Sequence, residues 1–524
     1  MKIRYLQLFS LNALLVLSAS THADSKNVYG KSFYLGNNGA VTGNGIMLSI
    51  NKQRDDSEEK AHGYLWAQVE GGKTFKSRKI AQALFFNGNS SMTIGQGSNN
   101  STTDIYSVNF LLPQSAVGDA EAWKSIISAA PKISTVVADF RGILFVRDWE
   151  KWYFEFDVPV VHSSFNMHLS EFPGSQTANN IPIGYIDPTL AIPAPYSNAI
   201  DAWKGDQKAG QVTTTRSYGN INGQQSKTVA GDTRLALGRR LMDEEQGYVG
   251  LALLGLINGD NKSATDVKYL GTPSVGTAGR NGIGVRLDAF YELYAHNNSS
   301  VSFALRADVA HTFSSTITRS YDVNNHGVGS RYLLVKQFTS AYAYNNTITY
   351  MINLTTLRAK INIPCVYDIS LMLQAKHKQM DFDLGLQIHG HARENHKRWV
   401  DTALPAGNFG ALDAGFADAN PAADPDPSHQ PLLSPDVSIN GVQANHTSPT
   451  TATASATNVL NINAVNIDSA LAGPSISCRV FTAFGYTLDH KNLPYFLAGA
   501  GADLPNCNSA PFQWEVHSAI GFHF

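Results

Sequence analysis

Cysteine is nearly missing from this chain. The three residues present, Cys365, Cys478 and Cys507 among 524, cannot build a disulfide scaffold, and their spacing fits no zinc site. Charge is also sparse. Asp, Glu, Lys and Arg make up 16% of the chain and the formal net charge is −2, which argues against a nucleic-acid partner. After the first two dozen residues no long uncharged apolar run occurs, so no helix is expected to span a membrane. No G-x-S-x-G, P-loop, H-E-x-x-H or nucleotide fingerprint is found either. The expectation is a chain that is not an enzyme and carries no cofactor or metal.

What the sequence does have is alternation. In Pro511–Phe524, Phe512, Trp514, Val516, Ile520, Phe522 and Phe524 share one parity, while Gln513, Glu515, His517 and His523 share the other. Successive side chains of a strand point to opposite faces, so this segment is oily on one side and polar on the other. Gly282–Ala295 repeats the pattern, with Ile283, Val285, Leu287 and Leu293 opposing Arg286, Asp288 and Glu292. Val301, Phe303, Leu305 and Val309 oppose Arg306 and Asp308; Phe382, Leu384 and Leu386 oppose Asp381 and Asp383. Paired as a hairpin, the second and third segments put Asp288 near Asp308, with Arg306 diagonal to Asp288 and Glu292. Trp152, Phe154, Phe156 and Val158 oppose Glu155 and Asp157; the apolar parity then changes at Phe165 and Met167, which predicts a β-bulge near Val161–Ser164.

These segments predict an all-β chain: an antiparallel transmembrane β-barrel of about 14 strands (range 12–16) with short periplasmic turns and long external loops. Lys2 and Arg4, the apolar Leu11–Leu17 and the small residues before Asp24 read as a signal peptide over residues 1–23. Residues 24–60 are expected to form a periplasmic tail, with a plug in the lumen as the alternative. The barrel then occupies 61–524 and includes a long external loop over 394–473. Two connections break the alternation of short and long. The stretch near Gln337–Leu354 is long yet falls inside, and Pro364–Tyr367 is short yet falls outside.

The terminal Phe524 with Phe522 and Ile520 at alternate positions resembles the assembly signal of Gram-negative outer-membrane β-barrels, porin-like proteins among them. The segments WYFEFDVPVVHSSFNMHLSE (Trp152–Glu171), RSYDVNNHGVGSRYLLVK (Arg319–Lys336) and FDLGLQIHGHARE (Phe382–Glu394) resemble, more loosely, a large uncharacterised barrel family of Dependentiae-type bacteria. The resemblance implies the barrel fold, the outer membrane, its lipids and the barrel-assembly machinery as partners. It supplies no substrate and no catalytic residues.

Charges facing lipid cost up to ~2–4 kcal/mol each near the midplane, so lining parity turns them inward. The expected pore lining is Arg286, Asp288, Glu292, Arg306, Asp308, Asp157, Glu155, Arg358, Lys360, Asp381, Asp383, Arg479 and Glu515, with Arg234, Arg240 and Asp139 on the same faces. The expected function is a passive channel for small hydrophilic solutes, screened by these mixed-sign charges. The alternatives are a side-chain-filled interior, and a surface adhesion or interaction protein using its long loops; self-assembly is left open. His162, Ser163, Ser164 and His168 would be needed by a hydrolase, but ordinary polarity explains them better. His389, His391 and His396 with Asp381 and Asp383 form the densest ligand-type cluster. His389 and His391 are about 7 Å apart along a strand, too far to share a metal unaided. The loop acids Asp413, Asp418, Asp424, Asp426, Asp436 and Asp260 lack EF-hand spacing and read as solvated.

Overall fold

The computed structural model describes residues 61–95, 103–112, 124–146, 151–173, 195–208, 212, 214–244, 246–260, 267–411, 432–433, 452–453, 459–488, 494–505 and 511–524. The expected signal peptide, the 24–60 segment and the acids from Asp413 to Asp436 lie outside these residues. Twelve strands form the wall: β1 Ala61–Thr74, β2 Lys132–Val146, β3 Trp152–Asn166, β4 Asp232–Glu244, β5 Gly247–Asn258 and β6 Gly282–His296. They continue as β7 Ser299–Thr312, β8 Val366–His377, β9 Met380–His391, β10 Ser475–Thr487, β11 Tyr495–Pro505 and β12 Gln513–His523. Each pairs antiparallel with its chain neighbour, and β12 returns to β1 over Tyr64↔His523 to Thr74↔Gln513. Gly63 and Phe524 complete the closure with reciprocal backbone hydrogen bonds of 3.0 Å. A closed sheet has no unpaired edge, which is the condition for spanning a bilayer with strands.

Alternation decides the two faces. Leu65, Phe140, Leu253, Val285, Phe382, Val480 and Trp514 stand exposed on the outside, while Glu155, Arg286, Asp288, Arg306, Arg479 and Glu515 are buried inside. Inward glycines make room in a narrow lumen. A Cβ on Gly238 would collide with the Tyr153 ring, and one on Gly385 with the Phe481 ring. Tyr153 and Phe481 lie across the inner surface only because those two positions are bare.

The short and long connections segregate to opposite ends. Those between β2 and β3, β4 and β5, β6 and β7, β8 and β9, and β10 and β11 are short and share the end where β1 begins and β12 stops. Long connections leave the other end and carry most of the remaining structure. The count of twelve is at the bottom of the expected range, because strands such as Thr356–Asn362, which alternates like a wall strand, lie in an outer connection and form small sheets with strands of the connection after β9. That connection removes both irregular loop lengths. A thirteenth strand, Gln224–Ala230, pairs with the outer half of β3, and β4 takes over along the inner half. Gly231 marks the break, its N–H donating to the Pro159 carbonyl at 2.7 Å; proline has no N–H to continue the ladder.

The expected bulge near Val161–Ser164 is not there: β2 and β3 stay in register from Phe145↔Tyr153 to Lys132↔Asn166. Phe165 and Met167 keep the inward parity of Glu155 and Asp157 and turn apolar because they enter a hydrophobic cap above the lumen. A change of surroundings, not of register, produced the sequence signal. The cap core gathers Leu84, Phe110, Trp203, Tyr332, Val335 and Tyr350 from three outer connections. Arg216 is buried among its rings and donates to the carbonyls of Ala202 (3.0 Å) and Trp203 (2.6 Å) and to Asn220 Oδ1 (2.8 Å). Nearer the wall, Glu394 receives hydrogen bonds from Arg280, from Arg319 Nη2 (3.0 Å) and from the Ala472 N–H (2.8 Å). One carboxylate thereby ties three outer connections together.

Candidate functional site

The lumen begins as a sequence rule, one inward side chain every second residue. Twelve such rows on a closed cylinder face each other across a small radius. The central rows are charged. Arg306 on β7 grips Glu155 on β3 with two parallel bonds, Nη1 to Oε1 at 2.8 Å and Nη2 to Oε2 at 3.0 Å, and reaches Asp288 Oδ1 through Nε at 2.6 Å. Arg286 on β6 grips Asp308 the same way, Nε to Oδ1 at 2.7 Å and Nη2 to Oδ2 at 2.9 Å, and its Nη1 lies 3.1 Å from Glu155 Oε1. The rigid guanidinium fork suits such bidentate pairing.

The lattice spreads from there. Arg234 on β4 bridges Asp308 (3.2 Å) and Asp368 on β8 (3.4 Å), and Gln387 on β9 donates to the other Asp368 oxygen at 2.8 Å. The Tyr153 hydroxyl donates to Asp288 Oδ2 at 2.8 Å. On β2, Arg141 donates to Asp139 at 2.7 Å and lies 3.4 Å from Asp157. On the far wall Arg479 forks onto Asp503 (3.0 and 2.8 Å) and touches Glu515 at 3.2 Å. These side chains are at most 8% exposed. A water-filled passage of solute size would leave its lining wet, so in this conformation the described side chains fill the lumen. A cavity of about 30 Å³, room for a water or two, remains beside Arg234, Asp308 and Asp368 toward the outer end.

Of the residues expected to line the passage, Arg286, Asp288, Arg306, Asp308, Glu155, Asp157, Arg479 and Glu515 belong to the lattice. The pairing differs from the expected hairpin by two residues: Asp288 stands directly across from Arg306, and Arg286 from Asp308. Opposite charges therefore face each other, which is the better arrangement. Asp381 and Asp383 also point inward but sit lower, away from the arginines. Glu292 is half-buried near the short-turn rim, beside a register shift between Glu292 and Tyr294.

Arg358 and Lys360 are not on the wall at all. Their strand, Thr356–Asn362, pairs with Ser315–Ser320 and Asn395–Trp399 in an outer sheet, and Arg358 forms an exposed ion pair with Asp401 at 2.6 Å. Strand alternation marks any half-buried sheet and cannot say which one. Asp368, Arg141 and Asp503 complete the lattice but were not singled out, although the alternation Tyr367, Ile369, Leu371, Leu373 already placed Asp368 inward.

Phe522 and Phe524 face out from the closing strand, 45% and 56% exposed. The histidines do not converge on chemistry. His162 is exposed and bonded to Thr228 Oγ1 at 2.7 Å, and His168 is exposed in a left-handed turn at φ 44°. His391 Nδ1 lies 2.9 Å from the Ala392 carbonyl oxygen, and His396 packs on the Trp399 ring. Among the described residues no three His, Cys, Asp or Glu side chains cluster as metal ligands.

No protein-family model and no curated protein matches the chain. Solved structures with a related outline include an outer membrane channel from Pseudomonas putida F1, 9% identical, covering 89% of this chain and 97% of that one at a TM-score of 0.36. The toluene transporter TodX of Pseudomonas putida is 8% identical, covers 96% of each chain and scores 0.29. The Ralstonia pickettii toluene transporter TbuX is 9% identical, with 95% and 98% covered and a score of 0.28. At these scores the likeness is one of outline, and what the chain does must be read from its own side chains.

Proposed function

We propose that this chain is an outer-membrane channel protein whose polar lumen, closed by an ion-pair lattice in the conformation described, passes small hydrophilic solutes passively when the lattice parts. The observation that carries this reading is the pairing of a lipid-compatible exterior with a densely charged central lumen. An outer belt of exposed Phe, Leu, Val and Trp requires hydrocarbon around it. Burying a dozen ionised groups does not stabilise a fold well, since an apolar filling of similar shape is often as stable or more so. A lumen built only for stability would dispense with them. Mixed charges that can exchange partners for water suit a passage for hydrated solutes.

The experiment is planar-bilayer recording with the purified chain. Wild type is expected to stay mostly quiet at low voltage and to open stepwise at higher voltage. The double variant Arg286→Ala, Arg306→Ala removes both guanidinium partners of Glu155 and leaves Asp308 with Arg234 and Asp288 with the Tyr153 hydroxyl alone, so that all three carboxylates face the space. It should conduct at low voltage and select cations several-fold over anions. Silence from both proteins at every voltage, with folding verified by heat-modifiable migration, would remove the channel reading.

A second reading has one observation in its favour. The outer connections build a cap with its own hydrophobic core rather than loose loops, as a surface adhesion or interaction protein would require. Deleting residues 417–457 separates the two, because binding to a cell or partner would disappear while conductance persists.

A further inference from the structure

Below the arginine lattice the lumen changes character. Phe290, Ala304, Met372 and Phe481 on β6, β7, β8 and β10 form an apolar layer together with Tyr248, and strand register puts Phe290, Ala304, Met372, Gly385 and Phe481 in one continuous row. On the short-turn side of that layer lie Asp383 and Asp381, 2% and 5% exposed. Two positions apart on one face of β9, their backbones are about 7 Å apart. The lattice arginines therefore sit on the other side of an apolar partition.

The neighbours in register supply little positive charge. Asp383 stands across from Gln374 on β8 and Ala483 on β10; Asp381 stands across from Lys376 and Gly485. Lys376 is exposed at the mouth, so it can offset at most one of the two carboxylates. His517, lying over Gly499, is the next ionisable group along the Asp383 row. A carboxylate held this deep without a compensating cation is expensive.

An independent observation points to an occupant. Tyr495 on β11 is 3% exposed and folds over Gly485, its hydroxyl filling the place a side chain there would take. Gly485 is the direct cross-strand partner of Asp381. The phenol oxygen is thereby delivered beside Asp381, yet among the described residues it has no hydrogen-bond partner, and neither does Asp383 Oδ1. A buried hydroxyl beside one carboxylate and a buried oxygen of the next, both unsatisfied, are rare in native proteins unless a further group completes them.

We propose that Asp383, Asp381 and the Tyr495 hydroxyl form a binding site for a hard cation of the calcium class on the inner side of the lumen. All three side chains offer oxygen, the preference of Ca²⁺ over softer metals, and Ca²⁺ tolerates irregular geometry and completes its shell with water. The two carboxylates must lean together to share it. The site does not depend on the channel reading, since a cation here would neutralise the lower lumen whether or not solute ever passes.

The test is Ca²⁺ binding to the purified full chain in metal-free detergent at pH 8, by flow dialysis on wild type, Asp383→Asn and Tyr495→Phe. One saturable Ca²⁺ per chain is expected in wild type. Affinity should fall more than tenfold in Asp383→Asn and several-fold in Tyr495→Phe, which removes one oxygen and keeps the ring over Gly485. No saturable binding in wild type would overturn the site, the pair then holding a proton instead. Binding that survives Asp383→Asn would place the ion elsewhere, in the outer loops for instance, and overturn it equally. If Asp383→Asn does not fold, unchanged affinity in Tyr495→Phe is sufficient to reject the proposal.

Discussion

Glu394→Gln probes how the cap is fastened to the barrel. Glu394 and Arg280 are wholly buried, and Arg319 is 5% exposed. Arg280 is further anchored to the Thr277 carbonyl at 2.8 Å and the Ile361 carbonyl at 3.3 Å. Burial alone would push the carboxyl up, but Arg319, Arg280 and the Ala472 N–H overcome it and hold it at about 2, against an ordinary value of 4.5. That gap corresponds to about 3 kcal/mol of stabilisation. Because the folded value is depressed, the contribution is complete above about pH 4.5 and is lost as pH falls from there toward about 2. Glutamine keeps the shape and discards the charge. It leaves two guanidinium groups without a counter-charge, a loss on the order of 3–5 kcal/mol. Hydrogen exchange resolved along the chain is the assay. At pH 7, amides in 313–323, 357–362 and 465–473 should exchange at least a hundredfold faster in Glu394→Gln, while β5 to β7 stay protected. Wild type should show the same local loosening only below about pH 4.5, and the variant should lack that acid limb. Equal protection of the two proteins at pH 7 would refute the reasoning.

Other substitutions test the wall and the cap separately. Val285→Lys puts a charge at an outward position that is 52% exposed; in lipid it should lower folding stability by ~2–4 kcal/mol, and free tolerance in vesicles would speak against a bilayer around β6. Gly385→Ala forces a methyl group against the Phe481 ring and should cost about 1–3 kcal/mol, read as a lower melting temperature. Arg216→Met strands the carbonyls of Ala202 and Trp203. Protease sensitivity of the cap should rise while heat-modifiable migration of the barrel is unchanged.

The wall is largely legible in the sequence. Across the middle of β3, β6, β7, β9 and β12 apolar residues alternate with polar or charged ones, and burial largely follows that alternation. The same rule misplaced Arg358 and Lys360, because a small outer sheet with one covered face produces the same alternation as a lipid-facing wall. It also misread Phe165 and Met167 as a bulge, because parity cannot tell a register change from an inward face that passes from polar lumen to apolar cap. Partner choice within the lumen was only partly readable. Arg306 and Asp288 are close enough in sequence to be guessed as neighbours, whereas Glu155 and Arg306, joined by two parallel bonds, lie on strands brought together only by closure of the cylinder.

Sequence by itself determined that this chain makes an antiparallel barrel, greasy outside and charged inside, because a strand's two-residue period writes each face directly into the order of residues. Only the tertiary structure decided that twelve strands close the ring, that arginines and carboxylates from opposite walls fill it, and that Asp381 and Asp383 lie beyond an apolar layer from every lattice arginine. The radius of the cylinder, set by how many strands close it, fixes which inward side chains can touch, and that number is not contained in the alternation of any one strand.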